Sequence, residues 1–198
     1  MSPRPDVSEE RKDQILDAAT DVFADKGFSE ARMDDIVKES GLSKGTLYWY
    51  FKSKDEIILS IFDRMFTREF QELAKLVDMP GTATARLMHF TDLAIEDVRH
   101  MLRLMPLAYE FLALAFRRKF VQDAFKIYIN KYMDVLVPLI QQGIEAGEFR
   151  PLDAHTAAVT SGAIFEGTIL LWVYDNTLVD PEKHIREGMI LLLDGLKA

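Results

Sequence analysis

The sequence contains no cysteine and no long hydrophobic run. Without cysteine in 198 residues, disulfides and thiolate chemistry are excluded, which suits a reducing compartment. The longest apolar run, residues 169–174, has six residues, whereas about twenty are needed to cross a bilayer. The first residues lack an apolar signal stretch. We therefore expect a soluble, cytoplasmic protein that does not associate with membranes.

Motifs of catalysis and metal binding are also missing. The sequence has no nucleophile elbow, Gly-rich phosphate loop or HExxH motif. Its four histidines lack metal-ligand spacing, since even His89 and His100, which share a helix face, lie about 16 Å apart along it. We expect no enzyme, no cofactor and no metal site.

Apolar residues recur with helical spacing along the whole chain, and no stretch alternates as a strand would. The sequence therefore predicts an all-α protein. The clearest breaks are residues 79–82 and 147–151, and Pro138 lies inside a helical pattern that covers about 120–146. A helix is also expected to begin at Pro106. We expect an N-terminal helical domain over residues 1–53 and a second helical domain over residues 54–198.

The most informative stretch, residues 33–58, has the pattern of two short helices joined by a tight turn. Gly41 stands where a helix ends and glycine enters the left-handed region at low cost. Ser43 can cap the next helix, whose inward stripe is Leu47 and Phe51. This is the geometry of a DNA-reading helix-turn-helix.

The outer face of that second helix carries groups suited to DNA. Lys44, Thr46, Tyr48 and Tyr50 offer a cation and hydroxyls, and Gly45 lets the backbone approach closely. A capping box from Ser53 to Glu56 then starts a long helix and would hold Lys54 at its N-terminus, where phosphate binds readily.

These residues resemble the tetracycline-repressor (TetR) family of bacterial transcription regulators over roughly residues 8–58. The resemblance implies that Ser43, Lys44, Thr46, Tyr48, Tyr50 and Lys54 face DNA. In two places the chain departs from the family pattern. Ala31-Arg32 replaces the usual threonine pair, so that a hydroxyl cap is missing and Arg32 is a candidate phosphate contact, and Tyr50 replaces a common histidine. The matching positions are Gly27-Phe28, Asp35-Ile36, residues 41–48, Phe51, Lys54 and Glu56.

Simpler interpretations of the same residues stay open. Lys52 and Lys54 are also typical of a solvated helix start. Tyr48, Trp49 and Tyr50 also suit packing within the small domain, although three successive helical positions span about 200°, so at least one ring must face outward. For Trp49 the expected role is a core residue or an indole-edge contact to DNA.

Net charge is −8, which at first argues against a nucleic-acid partner. Residues 41–54, however, contain three lysines and no acidic residue, so this stretch carries +3 and the remainder −11. An acidic protein with one cationic face would be repelled from DNA in the wrong orientations.

Between Thr156 and Tyr174 the only charged residue is Glu166. A helix that is apolar on all sides must be covered on all sides, and the last helix cannot cover all of it. A homodimer formed by the last two helices of each subunit is the economical solution, with Gly162 and Gly167 allowing close contact. The alternative is the central helix of a monomer.

Methionine and aromatic residues are concentrated in the middle of the chain and suit an adaptable apolar pocket. The hypothesis is a small hydrophobic, lipophilic or aromatic effector, although each residue alone is more typical of an ordinary core. Glu110 and Glu166, if they face inward, would select a cationic ligand. The candidate ligand-binding residues are Met65, Phe66, Met101, Met105, Tyr109, Phe116, Phe120, Phe165 and Trp172.

Together these patterns predict a homodimeric, ligand-responsive regulator that binds a palindromic double-stranded DNA operator. Repression with release by the effector is what the family resemblance implies, as is a tilt of the long helix from Lys54 as the signal. The alternative is a dimeric helical interaction or ligand-carrying module that does not bind duplex DNA.

Overall fold

The computed structural model describes the backbone of residues 7–102 and 113–198, and their side chains except those of residues 7, 65–69, 71 and 97–102. Within these ranges the only β pairing is an isolated bridge between Phe149 and Lys197, so the all-α prediction is confirmed. The helices are α1 (Val7–Lys26), α2 (Met33–Ser40), α3 (Lys44–Tyr50), α4 (Lys54–Lys75), α5 (Ala83–Leu102), α6 (Lys119–Glu145), α7 (Ala154–Tyr174) and α8 (Pro181–Leu196).

Local signals account for most helix boundaries. Asp153 and Asp180 cap α7 and α8, because each carboxylate accepts a backbone N–H three residues later, at 3.0 and 3.1 Å. Pro138 lies inside α6, as predicted. The helix expected to start at Pro106 lies outside the described residues.

The chain divides into two compact units. Unit 1 comprises residues 1–66 and 104–125, and unit 2 comprises residues 67–103 and 126–198. The proposed division of the sequence after residue 53 remains a prediction.

Unit 1 is built around one hydrophobic core. Helix α1 contributes a continuous inner face, and α2 and α3 close over it with one fully buried residue each, Ile36 and Leu47. The start of α4 completes the core with three isoleucines that have no exposed area. The inner face of α1 consists of Ile15, Leu16, Ala19, Val22 and Phe23.

Unit 2 has its own core between α5, α6, α7 and α8. Its tightest corner is the turn after α6, where Phe149 is buried and the Glu148 carboxylate accepts the N–H groups of Ala83 and Thr84 at 2.9 and 3.2 Å. The same turn is tied to the end of α8, because the Arg150 N–H donates to the carbonyl of Leu196 at 2.9 Å. The end of α6, the start of α5 and the end of α8 are therefore joined at one point.

Helix α7 buries one side only. Ala157, Ala158 and Ser161 face the core of unit 2, but other large apolar residues of α7 lie on the surface of the single chain. By length and composition alone, α7 is long and apolar enough to cross a membrane. The same is true of core helices in soluble proteins. The exposed apolar residues on α7, α8 and the turn between them are Val159, Leu170, Leu171, Val173, Tyr174, Leu178, Ile190 and Leu191.

Candidate DNA-binding surface

The turn between α2 and α3 has the predicted geometry. Gly41 has φ 67°, which places it in the left-handed region that favours glycine. Ser43 Oγ accepts the N–H of Thr46 at 3.0 Å and caps α3. Because Leu47 and Phe51 anchor the inner side, with exposures of 0% and 4%, the opposite side of this short helix must face solvent.

That outer side presents small and hydroxyl-bearing groups. The Thr46 hydroxyl is hydrogen-bonded to Ser43 Oγ at 2.8 Å, so the two side chains form one polar rim at the helix start. A Cβ atom added to Gly45 would meet only Ser43 Oγ, at 3.7 Å, so the free protein itself leaves space for a side chain there. The Tyr48 ring is half-buried at the edge of the unit 1 core.

Trp49 exposes 69% of its area, so its predicted role as a core residue is wrong. It lies about 200° around the helix from Leu47, which holds the inner side. Its ring packs edge-on against Tyr50 at a centroid distance of 4.5 Å. Tyr50 in turn packs against the core of unit 1 and directs its hydroxyl towards Ser8 at 3.5 Å.

Lys54 is placed differently from the prediction of a free phosphate grip. Its ammonium group donates to the carbonyl oxygens of Phe28, Ser29 and Ala31, at 2.6, 3.2 and 2.5 Å. An ammonium has three N–H donors, and three carbonyls of the α1–α2 loop take them up. The side chain therefore fixes this loop instead of extending towards a duplex.

The capping box at α4 is also only partly as predicted. The N–H of Glu56 donates to Ser53 Oγ at 3.2 Å, as expected. The Glu56 carboxylate, however, accepts the N–H of Lys52 at 2.6 Å, one residue earlier than a standard box requires. The Lys52 ammonium donates to the Tyr48 carbonyl, which stabilises the C-terminal end of α3.

Arg32 begins α2 without a side-chain cap, as the loss of the threonine pair predicts. Asp35 compensates from inside the helix: its carboxylate accepts the Arg32 N–H at 2.9 Å and the Lys26 ammonium at 2.7 Å. The hydrogen bond from Lys26, and next that from Arg32, lowers the pKa of Asp35. The Arg32 side chain is left on the exposed rim of a cleft that Asp34 and Tyr48 also line.

The predicted effector residues are divided between the two units. Phe116 exposes 83% of its area, which does not suit a residue that lines an enclosed pocket, and its assignment to the effector site remains a prediction. Phe120 is half-buried in unit 1, whereas Phe165 and Trp172 are half-buried in unit 2. The side chains of Met65, Phe66, Met101, Met105 and Tyr109 lie outside the described residues.

Unit 2 contains a chain of aromatic contacts, part of which the sequence analysis missed. Phe70 packs against Tyr128 and Tyr132 at centroid distances of 5.1 and 4.8 Å, and Phe90 links Tyr132 to Phe165. The two tyrosine hydroxyls are hydrogen-bonded at 2.6 Å. Their spacing of four residues on α6 is the signal that was available, since such pairs meet on one helix face.

The fold and the surface together define a class of protein: a helix-turn-helix regulator that binds DNA. The model of the tetR family of bacterial regulatory proteins matches residues 15–61, and that of the C-terminal part of BetI-type transcriptional repressors matches residues 83–189. The chain belongs to the TetR family and is a ligand-responsive, DNA-binding transcriptional regulator.

Individual relatives agree with this assignment. An uncharacterised HTH-type regulator of Bacillus subtilis, YfiR, is 32% identical over 77% of this chain and 75% of its own length. The fatty acid metabolism regulator protein of the same organism is 26% identical over 92% and 94%. Among solved structures, SmeT of Stenotrophomonas maltophilia in complex with triclosan matches with a TM-score of 0.84 at 20% identity, covering 96% and 92% of the two chains.

Proposed function

We propose that α3 contacts the operator through Ser43, Lys44, Thr46 and Tyr48, with Gly45 at the point of closest approach. The observation that carries this proposal is the outer side of α3, where a capped helix start, a glycine with room for a side chain and an exposed lysine lie together. Phosphate contacts then come from the lysine and hydroxyls, and base contacts from the residues that enter the groove.

Further contacts belong to the same proposal. Arg32 extends the cationic rim from the start of α2, and Trp49 and Tyr50 offer an indole N–H and a hydroxyl at the end of α3. Lys54 contributes its charge and the position of the α1–α2 loop, because its ammonium donors are engaged by carbonyls.

Replacing Lys44 by alanine tests the surface. Each lysine that neutralises a phosphate contributes about −0.9 to the slope of log affinity against log salt concentration. We expect Lys44→Ala to weaken binding to the DNA upstream of its own gene and to reduce that slope by about two per dimer. Gel shift or fluorescence anisotropy at several salt concentrations measures both. An unchanged salt slope would show that Lys44 does not contact DNA phosphates. A wild-type protein that binds no duplex would favour the alternative, an interaction module that does not bind DNA.

We propose that the protein is a homodimer formed by α7 and α8. The exposed apolar residues of these helices form an uncovered hydrophobic surface on the single chain, and Gly162 and Gly167 have no neighbour within 4 Å of an added Cβ. In a homodimer, two α3 helices can enter successive major grooves of a palindromic site, which lie about 34 Å apart.

A charge in this face should separate the subunits. Leu171 lies on α7 with 58% exposure, and Leu171→Glu would bury two carboxylates at the proposed interface. We expect a dimer, twice 22.7 kDa, for the wild type and a monomer for the variant at micromolar concentration in light scattering. The matched control is Ile127→Glu on α6, with 61% exposure, which should stay dimeric. A wild-type mass of 22.7 kDa would contradict the proposal.

We propose that the effector is lipophilic or aromatic and binds in unit 2. The contacts among Phe70, Phe90, Tyr128, Tyr132 and Phe165 give this unit an aromatic interior with two tyrosine hydroxyls. Phe165 and Trp172 remain candidate lining residues. The names of the relatives point in the same direction, since one regulates fatty acid metabolism and SmeT binds triclosan.

The charge preference of the effector is a separate question. Desolvation by neighbouring residues raises the pKa of Glu166, the one carboxylate on the apolar helix α7, although this residue is exposed on the surface of the single chain. If this group faces the ligand, a cation is favoured. Thermal-shift assays with hydrophobic cations, hydrophobic acids and neutral aromatic compounds identify the chemical class of the effector. If no compound raises the unfolding temperature, the result counts against a small-molecule sensor. Binding should release the protein from DNA in the cytoplasm.

A further inference from the structure

The lysine at the centre of the proposed DNA-binding surface already has an acidic partner. Asp34 Oδ1, in the first turn of α2, lies 2.7 Å from Lys44 Nζ at the start of α3. The two side chains are 70% and 61% exposed. The Lys44 ammonium also lies 5.9 Å from the centre of the Tyr48 ring. The hydrogen bond that Lys44 donates to Asp34 raises the pKa of Lys44.

This ion pair contributes little to folding. Exposed pairs in water typically stabilise a protein weakly, because solvent and salt screen them. The start of α2 is already held by Asp35, which binds the Arg32 N–H and the Lys26 ammonium. The effect of Asp34 must therefore be sought elsewhere.

A duplex brings a second anion to the same ammonium. A phosphate oxygen that binds Lys44 leaves the Asp34 carboxylate within about 5–6 Å of the phosphate, which is inside the screening length of about 8 Å at physiological salt. Either the carboxylate must turn away and lose its partner, or the two anions repel each other. In both cases the contact is weaker than a free lysine would make.

Lys44 differs from the two other lysines of residues 41–54 in the kind of group that it contacts. Of the three lysines in residues 41–54, Lys52 donates to a carbonyl at the end of α3 and Lys54 donates to the α1–α2 loop. Lys44 pairs with a side-chain anion, Asp34. A competitor at this position therefore acts on a cation that the proposed function assigns to phosphate binding.

We propose that Asp34 is an affinity-limiting residue that competes with DNA phosphates for Lys44. The inference rests on the proposed contact between Lys44 and DNA. The Asp34 carboxylate places a negative charge within the DNA-binding surface. It lowers the affinity for any duplex, relative to the same surface without this charge, and makes release from DNA easier.

The test is Asp34→Asn, which keeps the shape and removes the charge. We expect binding to tighten about three- to tenfold per protomer, on the DNA upstream of its own gene and on a random duplex of equal length. The salt dependence should become steeper, and thermal unfolding should change little. Fluorescence anisotropy at several salt concentrations measures these affinities.

Two comparisons make the result specific. Glu72→Gln removes the same charge from an exposed Glu–Lys pair on α4 in unit 2, with Lys75 Nζ at 2.6 Å, and should leave DNA affinity unchanged. In the Lys44→Ala background, Asp34→Asn should tighten binding clearly less than in the wild type, because only the direct repulsion between the carboxylate and the phosphate is then removed. Weaker binding by Asp34→Asn, an equal gain in the Lys44→Ala background, or an equal gain from Glu72→Gln would each overturn the proposal. If the wild type binds no duplex, the DNA-binding function itself fails instead.

Discussion

Replacing Gly45 with alanine is expected to weaken operator binding about a hundredfold while the free protein stays folded. In the free protein the added methyl group meets only Ser43 Oγ, at an ordinary contact distance of 3.7 Å. Alanine is moreover preferred over glycine inside a helix by about 1 kcal/mol. The variant should therefore unfold at the same temperature as the wild type or slightly higher.

The loss arises only on DNA. Where a backbone lies against the duplex, an added methyl group acts like overpacking, which costs about 1–3 kcal/mol per contact. Two identical α3 helices on a palindrome double this cost, which gives roughly a hundredfold or more. Thermal unfolding and anisotropy on one preparation separate the two effects. Normal binding by Gly45→Ala would show that α3 does not approach DNA at this point.

The matched control is Gly41→Ala in the turn before α3. Gly41 also has no neighbour within 4 Å of an added Cβ, but its φ of 67° is costly for alanine. We expect this variant to lose about 1 kcal/mol of stability. The two substitutions are therefore expected to affect different quantities: Gly41→Ala lowers stability through its backbone conformation, and Gly45→Ala lowers affinity for DNA.

The features predicted well from sequence are those that depend on near neighbours. The turn at Gly41 and the Ser43 cap each involve atoms within a few residues of one another. Local chemistry therefore identifies both the residue and its role. The exposed position of Trp49 was available by the same logic, because the inward pair Leu47 and Phe51 fixes the helix orientation.

The features that were missed depend on contacts across the chain. The carbonyls that bind the Lys54 ammonium come from residues more than twenty positions earlier, in a loop whose course the sequence does not define. The pair between Asp34 and Lys44 joins two helices across the turn, and no periodicity predicts such a contact between exposed charges. The aromatic contacts of unit 2 also join distant parts of the chain, since Phe70 packs against Tyr132 of α6 and Phe90 packs against Phe165 of α7.

Gly143 provides the strongest expected effect on stability. A Cβ atom there would lie 2.8 Å from Ala83 Cβ and still closer to the buried Phe149 ring. Neither neighbour can retreat easily, because Ala83 and Phe149 are 1% and 2% exposed at the corner where α5, α6 and α8 meet. We expect Gly143→Ala to cost about 3 kcal/mol, near the upper end for overpacking, and to lower the unfolding temperature by about 6–12 °C.

Two further variants test whether the stability loss of Gly143→Ala comes from the contact between the added methyl group and the Phe149 ring. Gly195→Ala on α8 meets nothing within 4 Å and should unfold no earlier than the wild type, since alanine favours the helix. Phe149→Leu removes part of the ring that obstructs the methyl group, so Gly143→Ala should cost less in that background than in the wild type. Calorimetry on the four proteins and the wild type measures this coupling. Equal losses in both backgrounds would mean that the methyl group does not act through Phe149, and that the corner accommodates it by another movement.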